Sequence, residues 1–360
     1  MVTEMAVRLM PIYVRNAALQ TVGDFTAGFT SLSYREALNA PGGWVLDAPA
    51  GHPSIAALLE PGAGLVVEEA DGGQFGGYVA PAATRAKNIR TVDSEHASVQ
   101  VFGVSEITPL WWRRIVPPVG DTHDTETGPV TAAVPRMVAR HLGAEASAAR
   151  LLPGWQTVTG NAGEAVTVTG RYSILGEECA AHMGDTHWLK ARWSQGTIIF
   201  SVEAITATGI PVSVNAGSAT NVTEFTNGTI QSAVYGLGAG AGAGRLIVEA
   251  SSEVGPWARI EGVHDDEGAT DLAVLAAATT ATIDVGGTSF EAQLVDGLTV
   301  KVGDSVSLYD SQGRAETVPV AETITTITPE RTTRIVTLGQ PKALGIDRLV
   351  DQLRQQTTIT

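Results

Sequence analysis

The sequence predicts a mainly β fold with an α/β insert: two β-barrel domains, a small helix-hairpin domain between them, and a C-terminal helix. Three observations carry that prediction. Along Val300–Gly339, apolar residues alternate with polar ones (Val302, Val306, Leu308; Val318, Val320; Ile324, Ile327; Ile335, Val336, Leu338). Polar turns at Ser311–Gly313 and Pro329–Glu330 break this stretch into short strands of the kind that close a small barrel or sandwich. Forty glycines set among many Thr and Val residues supply the turns such domains need. Helical spacing, by contrast, is confined to a few stretches.

The first β-barrel region, 1–118, is expected to contain strands at Val7–Val14, Leu19–Phe25, Ser31–Leu38, Gly43–Ala48, Gly64–Glu69, Phe75–Ala80 and Ala97–Phe102. A short helix, Pro53–Leu59, interrupts them, and a helix over Glu106–Arg114 ends at Pro117–Pro118, which halts regular structure. The α/β insert, 119–205, opens with the polar stretch VGDTHDTETG. A helix over Thr131–Leu142 follows, closed by Gly143, with Pro135 placed near its first turn. A second helix, Ser173–Met183, takes Ser173 as N-cap and early acids at Glu177 and Glu178. Trp188–Trp193 and Thr197–Val202 read as a hairpin about Ser194–Gly196. The second β-barrel region, 206–342, includes the tract GLGAGAGAG at 236–244 and a helix at Asp271–Ala281 capped by Thr270. Residues 343–360 hold the last helix, about Ile346–Gln355. Its Ile346, Leu349, Val350 and Leu353 fall at i, i+3, i+4 and i+7, one apolar stripe for a partner or for the last barrel.

Charge narrows the function. The formal net charge is −15, from 38 acids against 23 bases, which argues against a nucleic-acid clamp but allows a conduit that DNA slides through. The lone cysteine, Cys179, forms no internal disulfide and reads as a small buried hydrophobe. No apolar run approaches the roughly 18 residues that span a bilayer, so membrane insertion is not expected. The N-terminal MVTEMAVRLMPIYV lacks the basic-then-apolar order of a signal peptide.

Each candidate site has a plainer reading. The Gly tract gives no G-x-G-x-x-G frame and precedes a strand, so it fits a flexible or tightly approached loop better than a nucleotide turn. His123 with Asp121, Asp124 and Glu126 could ligate a metal, but fits a solvated loop; His264–Gly268 fails calcium-loop spacing and reads as capping acids. His182 and His187 stand five apart, wrong for one helical face. Trp111–Arg114 mixes aromatics and bases, read as a packed pair with arginines at an interface. No catalytic, cofactor-binding or metal residue is assigned, and no enzyme activity is expected.

Read in order, the segments IYVRNAALQTVGDF and SLSYREALNAPGGWVLDAPAGHPSIAALLEPGAGLVVE resemble the N-terminal signature of tail hub (minor tail) proteins of siphophages infecting actinobacteria. VFGVSEITPLWWRRIVPP, RYSILGEECAAHMGDTHWLKARWSQGTIIFSV, DDEGATDLAVLAAA, KVGDSVSLYD and TTRIVTLGQP extend the likeness collinearly over about 5–342. That family is similar to baseplate-hub and tail-associated proteins. The resemblance implies a virion protein of the tail tip, assembled in the host cytoplasm as a homotrimeric ring that adapts a sixfold tube to a threefold tip. Its implied neighbours are the distal tail protein or tail tube above, tip or fibre proteins below, the tape measure protein, and DNA in transit. A carbohydrate- or receptor-binding β-protein is the rival reading, with Trp155, Trp188 and Trp257 as sugar platforms.

Overall fold

The computed structural model describes residues 10–69, 72–79, 98–226, 232–252, 259–283, 288–295, 298, 300–309 and 315–339. The chain divides into two compact units: 1–222 with 291–360, and 223–290.

In the first unit, strands β1 (Ile12–Arg15), β2 (Thr21–Asp24), β3 (Ser31–Ala37) and β4 (Ala40–Pro49) lead to helix α1 (Ser54–Leu58). Strands β5 (Gly64–Glu68), β6 (Gln74–Val79) and β7 (Ser98–Ser105) follow, each within a residue or three of its expected limits. The helix expected over Glu106–Arg114 shrinks to α2, Pro109–Trp112, because Glu106 is drawn inward to a buried arginine. One apolar cluster, from Ile12, Phe25, Tyr34, Trp44, Leu46, Leu65 and Phe75 among others, fills the space between these strands.

The middle stretch runs β8 (Asp124–Pro129), α3 (Val130–His141), β9 (Trp155–Thr157), β10 (Ala165–Gly170), α4 (Leu175–Ala180), β11 (His187–Ser194) and β12 (Thr197–Ala204). Strand β8 pairs antiparallel with β10; β12 pairs antiparallel with β11 and parallel with β9. A second apolar cluster lies here, with Val134, Met137, Val138, Cys179, Leu189, Ile198 and Phe200 buried together. Pro135 lies inside α3 rather than at its edge. The Thr131 carbonyl, which Pro135 cannot reach with an N–H, instead accepts from Gly160 N at 2.8 Å, so the missing helical bond is replaced from a loop. Ser173 does not cap α4: Ile174 holds that position without a side-chain cap bond, and the Ser173 hydroxyl has no partner among the described residues. The β11–β12 hairpin turns on Gln195 and Gly196, both at positive φ (46° and 82°), as a two-residue turn of matching twist requires.

Then come β13 (Thr206–Val212), β14 (Ala219–Thr226), β15 (Ala233–Leu237), β16 (Ile247–Ser251), β17 (Glu261–Asp265), α5 (Leu272–Ala281) and β18 (Thr288–Leu294). The chain's last described strands are β19 (Asp304–Tyr309), β20 (Ala315–Ile327) and β21 (Thr332–Gly339). Thirteen strands join one sheet, along the path β14-β18-β21-β20-β3-β4-β7-β6-β5-β1-β2, with β19 and β13 branching from β20. The described strands therefore close no barrel, contrary to the two closed barrels expected. The cause lies in β20, whose 13 residues form one strand rather than two short ones. Its first half pairs with β19; after an irregularity between Val320 and Glu322 its second half pairs with β21 on one side and β3 on the other. A strand shared in this way joins the early and late strands into one open sheet.

In the second unit, β15 pairs antiparallel with β16 and parallel with β17, and α5 packs on β15 and β16. Asp271, not Thr270, caps α5, accepting from Ala273 N at 2.7 Å and Val274 N at 3.2 Å. The Gly tract is tightly approached only in its first part: a Cβ on Gly236, in β15, would lie 1.9 Å from Thr279 Oγ1, while Gly242 and Gly244 have open space around them. The expected helix Ile346–Gln355, with Ile346, Leu349, Val350 and Leu353, lies outside the described residues, as does the turn Ser311–Gly313.

Candidate functional site

Strand alternation sends Leu189, Ala191 and Trp193 of β11 toward the α3 core, and so turns Trp188, Lys190 and Arg192 the other way. The β3–β4 turn fixes that strand in place. Asn39, at positive φ (52°), accepts from Leu189 N at 2.8 Å and donates to His187 O at 3.3 Å. Trp188 rests over Gly303, where any Cβ would lie 2.3 Å from the indole, and the Lys190 ammonium stands 5.2 Å from the Trp188 ring centroid.

This packing leaves a cavity of about 370 Å³ lined by Glu36, Glu69, Gln74, Trp188, Lys190 and Arg192, with Trp193, Lys301 and Val302 at its sides. Its carboxyls differ. Glu69 accepts from Tyr34 Oη and lies 2.8 Å from Arg334 Nη2, so its charge is matched. Arg334 in turn donates to Thr325 Oγ1 and Val300 O, each at 3.1 Å. Glu36 makes no direct bond among the described residues. Burial and the neighbouring Glu69 charge push its carboxyl up to about 8, against the pull of Arg334, Lys190 and Lys301. Lys190 is matched by Glu203 at 2.9 Å.

Two further ion pairs brace the sheet from inside. Arg15, fully buried, lies 2.7 Å from Glu106 Oε1 and 4.5 Å from the Tyr78 ring centroid. Arg35 lies 2.5 Å from Glu322, tying β3 to β20. Alternation alone does not reveal these charges, since it assigns polar residues outward. For Arg15 and Glu106 a signal lies in their glycine neighbours: a Cβ on Gly64 would approach Arg15, and one on Gly76 would approach Glu106 to 2.7 Å.

The residues weighed from sequence fall out as follows. Asp124 is buried 2.9 Å from both His141 and Arg140, Glu126 pairs with Arg136, and His123 contacts only Thr122 among the described residues. Asp265 pairs with Arg245, and Asp266 accepts from Gly268 N. Among the described residues no cluster of His, Cys, Asp and Glu could hold a metal. Cys179 is buried and its thiol is pushed up by desolvation. Trp111 packs over Gly176 while Trp112 is exposed, so the pair splits. Trp155 is 3% exposed and stacked on Phe200, which removes it as a sugar platform. Trp257 lies outside the described residues. No helix among the described residues is long and apolar enough to cross a membrane.

Among the described residues this arrangement builds a braced sheet with a polar cavity beside it. Solved structures share the fold. A 43 kDa tail protein of prophage MuSo2 from Shewanella oneidensis superposes with a TM-score of 0.56 at 12% identity, over 92% of this chain and 98% of that one. A tail protein from Neisseria meningitidis MC58 gives 0.52 at 10% identity, covering 91% and 96%. Prophage tail protein gp18 from Listeria monocytogenes EGD-e gives 0.50 at 12%, covering 97% and 99%. No curated protein sequence matches this chain. Residues 11–307 match the family described as Siphovirus ReqiPepy6 Gp37-like protein. With that match spanning most of its length, and with the fold of prophage tail proteins, this chain belongs to the Siphovirus ReqiPepy6 Gp37-like family.

Proposed function

We propose that this protein is a non-catalytic structural hub of a phage tail tip, forming a homotrimeric ring that adapts a sixfold tube to a threefold tip. The observation that carries the reading is the fold, shared nearly end to end with prophage tail proteins. The buried pairs Arg15–Glu106 and Arg35–Glu322 suit a part that must hold its shape under load. A ring of identical chains needs head-to-tail contacts that close. The net charge of −15 per chain lets DNA pass a ring lumen without sticking. In this reading 1–118 and 206–342 form the ring wall, 119–205 is an insert upon it, and 343–360 docks outward. The tail tube or distal tail protein lies above it, tip or fibre proteins below, and the tape measure protein within reach. The whole is assembled in the host cytoplasm before it joins the virion.

Quantitative mass measurement of purified tail tips is expected to give three copies per particle; six copies or one would sink the adaptor. The docking role of Ile346, Leu349, Val350 and Leu353 has its own test. Changing Leu349 and Leu353 together to Asp is expected to leave the melting temperature of the isolated protein within a few degrees while tail tips fail to assemble. A loss of roughly 2 kcal/mol or more in the isolated protein would instead place the stripe in the chain's own core.

A further inference from the structure

We propose that the cavity beside Glu36 is a binding site for an anionic sugar unit, either a uronic acid or a sugar phosphate. Its volume of about 370 Å³ suits a ligand of that size. The charge balance on its walls sets the sign of the ligand. Glu69 is matched by Arg334 at 2.8 Å, and Lys190 by Glu203 at 2.9 Å. Glu36 is held up to about 8 by burial and by Glu69, so it stays largely uncharged near neutrality. Arg192 and Lys301 then remain, lining the cavity without an ion pair among the described residues. Two unmatched cations at one opening select an anion.

The other walls select hydroxyls. The protonated Glu36 carboxyl donates and accepts, and Gln74 and Gln195 each present an amide that does both. Trp188, which lines the cavity, adds apolar surface beside these groups. A flat aromatic base is disfavoured as the ligand, because Trp188 is backed by Gly303 and faced by the Lys190 ammonium. The site is independent of the tail reading: a ring that adapts symmetries needs no such ligand.

The test is calorimetric titration of the full chain near pH 7 with glucuronate, glucose 6-phosphate, glucose, inorganic phosphate and adenosine monophosphate. One or both anionic sugars are expected to bind about tenfold tighter than glucose or phosphate, and whichever binds identifies the source of the charge. Arg192→Ala, at an exposed position, and Lys301→Ala are each expected to weaken that binding about tenfold with the circular dichroism melt unchanged. From about pH 7 to about pH 9, ionisation of Glu36 is expected to weaken binding in the natural protein but not in Glu36→Gln, with Glu69, Arg334, Lys190 and Lys301 common to both. The site is overturned if neither anionic sugar binds, if glucose or phosphate binds as well as they do, or if the nucleotide binds best. Equal binding by both alanine variants would overturn it too.

Discussion

Arg15 carries a full charge into a place with no solvent exposure, and Glu106 is the partner that makes this tolerable. Removing one member leaves the other charge stranded, so Arg15→Met is expected to cost about 3–5 kcal/mol near neutral pH, measured by urea unfolding. The sign of its pH dependence follows from Glu106, whose carboxyl burial holds above the ordinary value of 4.5 even with Arg15 opposing. Without Arg15 that value climbs further. The unfolded chain then binds fewer protons than the folded one above about pH 4.5, and stability falls as pH rises through this window. The deficit of the variant should therefore shrink as pH falls toward about 4.5 and level off below it, where Glu106 is protonated in both states; a deficit independent of pH would mean that packing, not charge, is what Arg15 supplies. Residues of this kind were the least legible in the sequence. Arg15, Arg35, Glu69, Glu322 and Arg334 all sit in or beside strands whose alternation marks polar positions as outward, and each owes its inward place to a partner far along the chain. Trp188 was visible as an aromatic, but its cavity depends on Glu36 and Asn39 of β3 and its turn meeting Gly303 from far along the chain.

At the scale of elements, the same alternation read well. Strands β2 to β7 were placed within a few residues, because each pattern is local and half-buried, whereas in the last section the alternation marked apolar positions without showing that β20 runs on as one strand. Helix ends read less well, since Ser173 and Thr270 had the right chemistry for caps but Ile174 and Asp271 hold those positions. The glycines inside strands β6 and β7 are not weak points but clearances. Trp44 of β4 lies fully buried across Gly103, and a Cβ there would come within 1.9 Å of its ring. The ring is walled in and cannot swing aside, so Gly103→Ala is expected to destabilise by about 1–3 kcal/mol or more. Adding Trp44→Phe should recover part of that loss, as a double-mutant cycle would reveal. Simple additivity of the two losses would show that Gly103 serves the strand backbone and not the tryptophan.

Across the whole molecule, the sheet follows from pairings that no local pattern encodes. The pairing of β3 with β20 joins residues near the two ends of the described chain, and it is what leaves the sheet open where two closed barrels were expected. Within an assembly, open sheet edges are surfaces that a neighbouring chain can cover, as the proposed ring requires. The collinear motifs were legible because the family spacing is preserved over 11–307; symmetry and neighbours were not, because they belong to surfaces between chains. An electron-microscopy map of the intact tail tests the central claim most directly. The account predicts three copies of this chain in a closed ring on the tail axis, with the tube above and the DNA channel through the centre. Copies bound at the periphery of the tip, or on the axis in any number other than three, would contradict it.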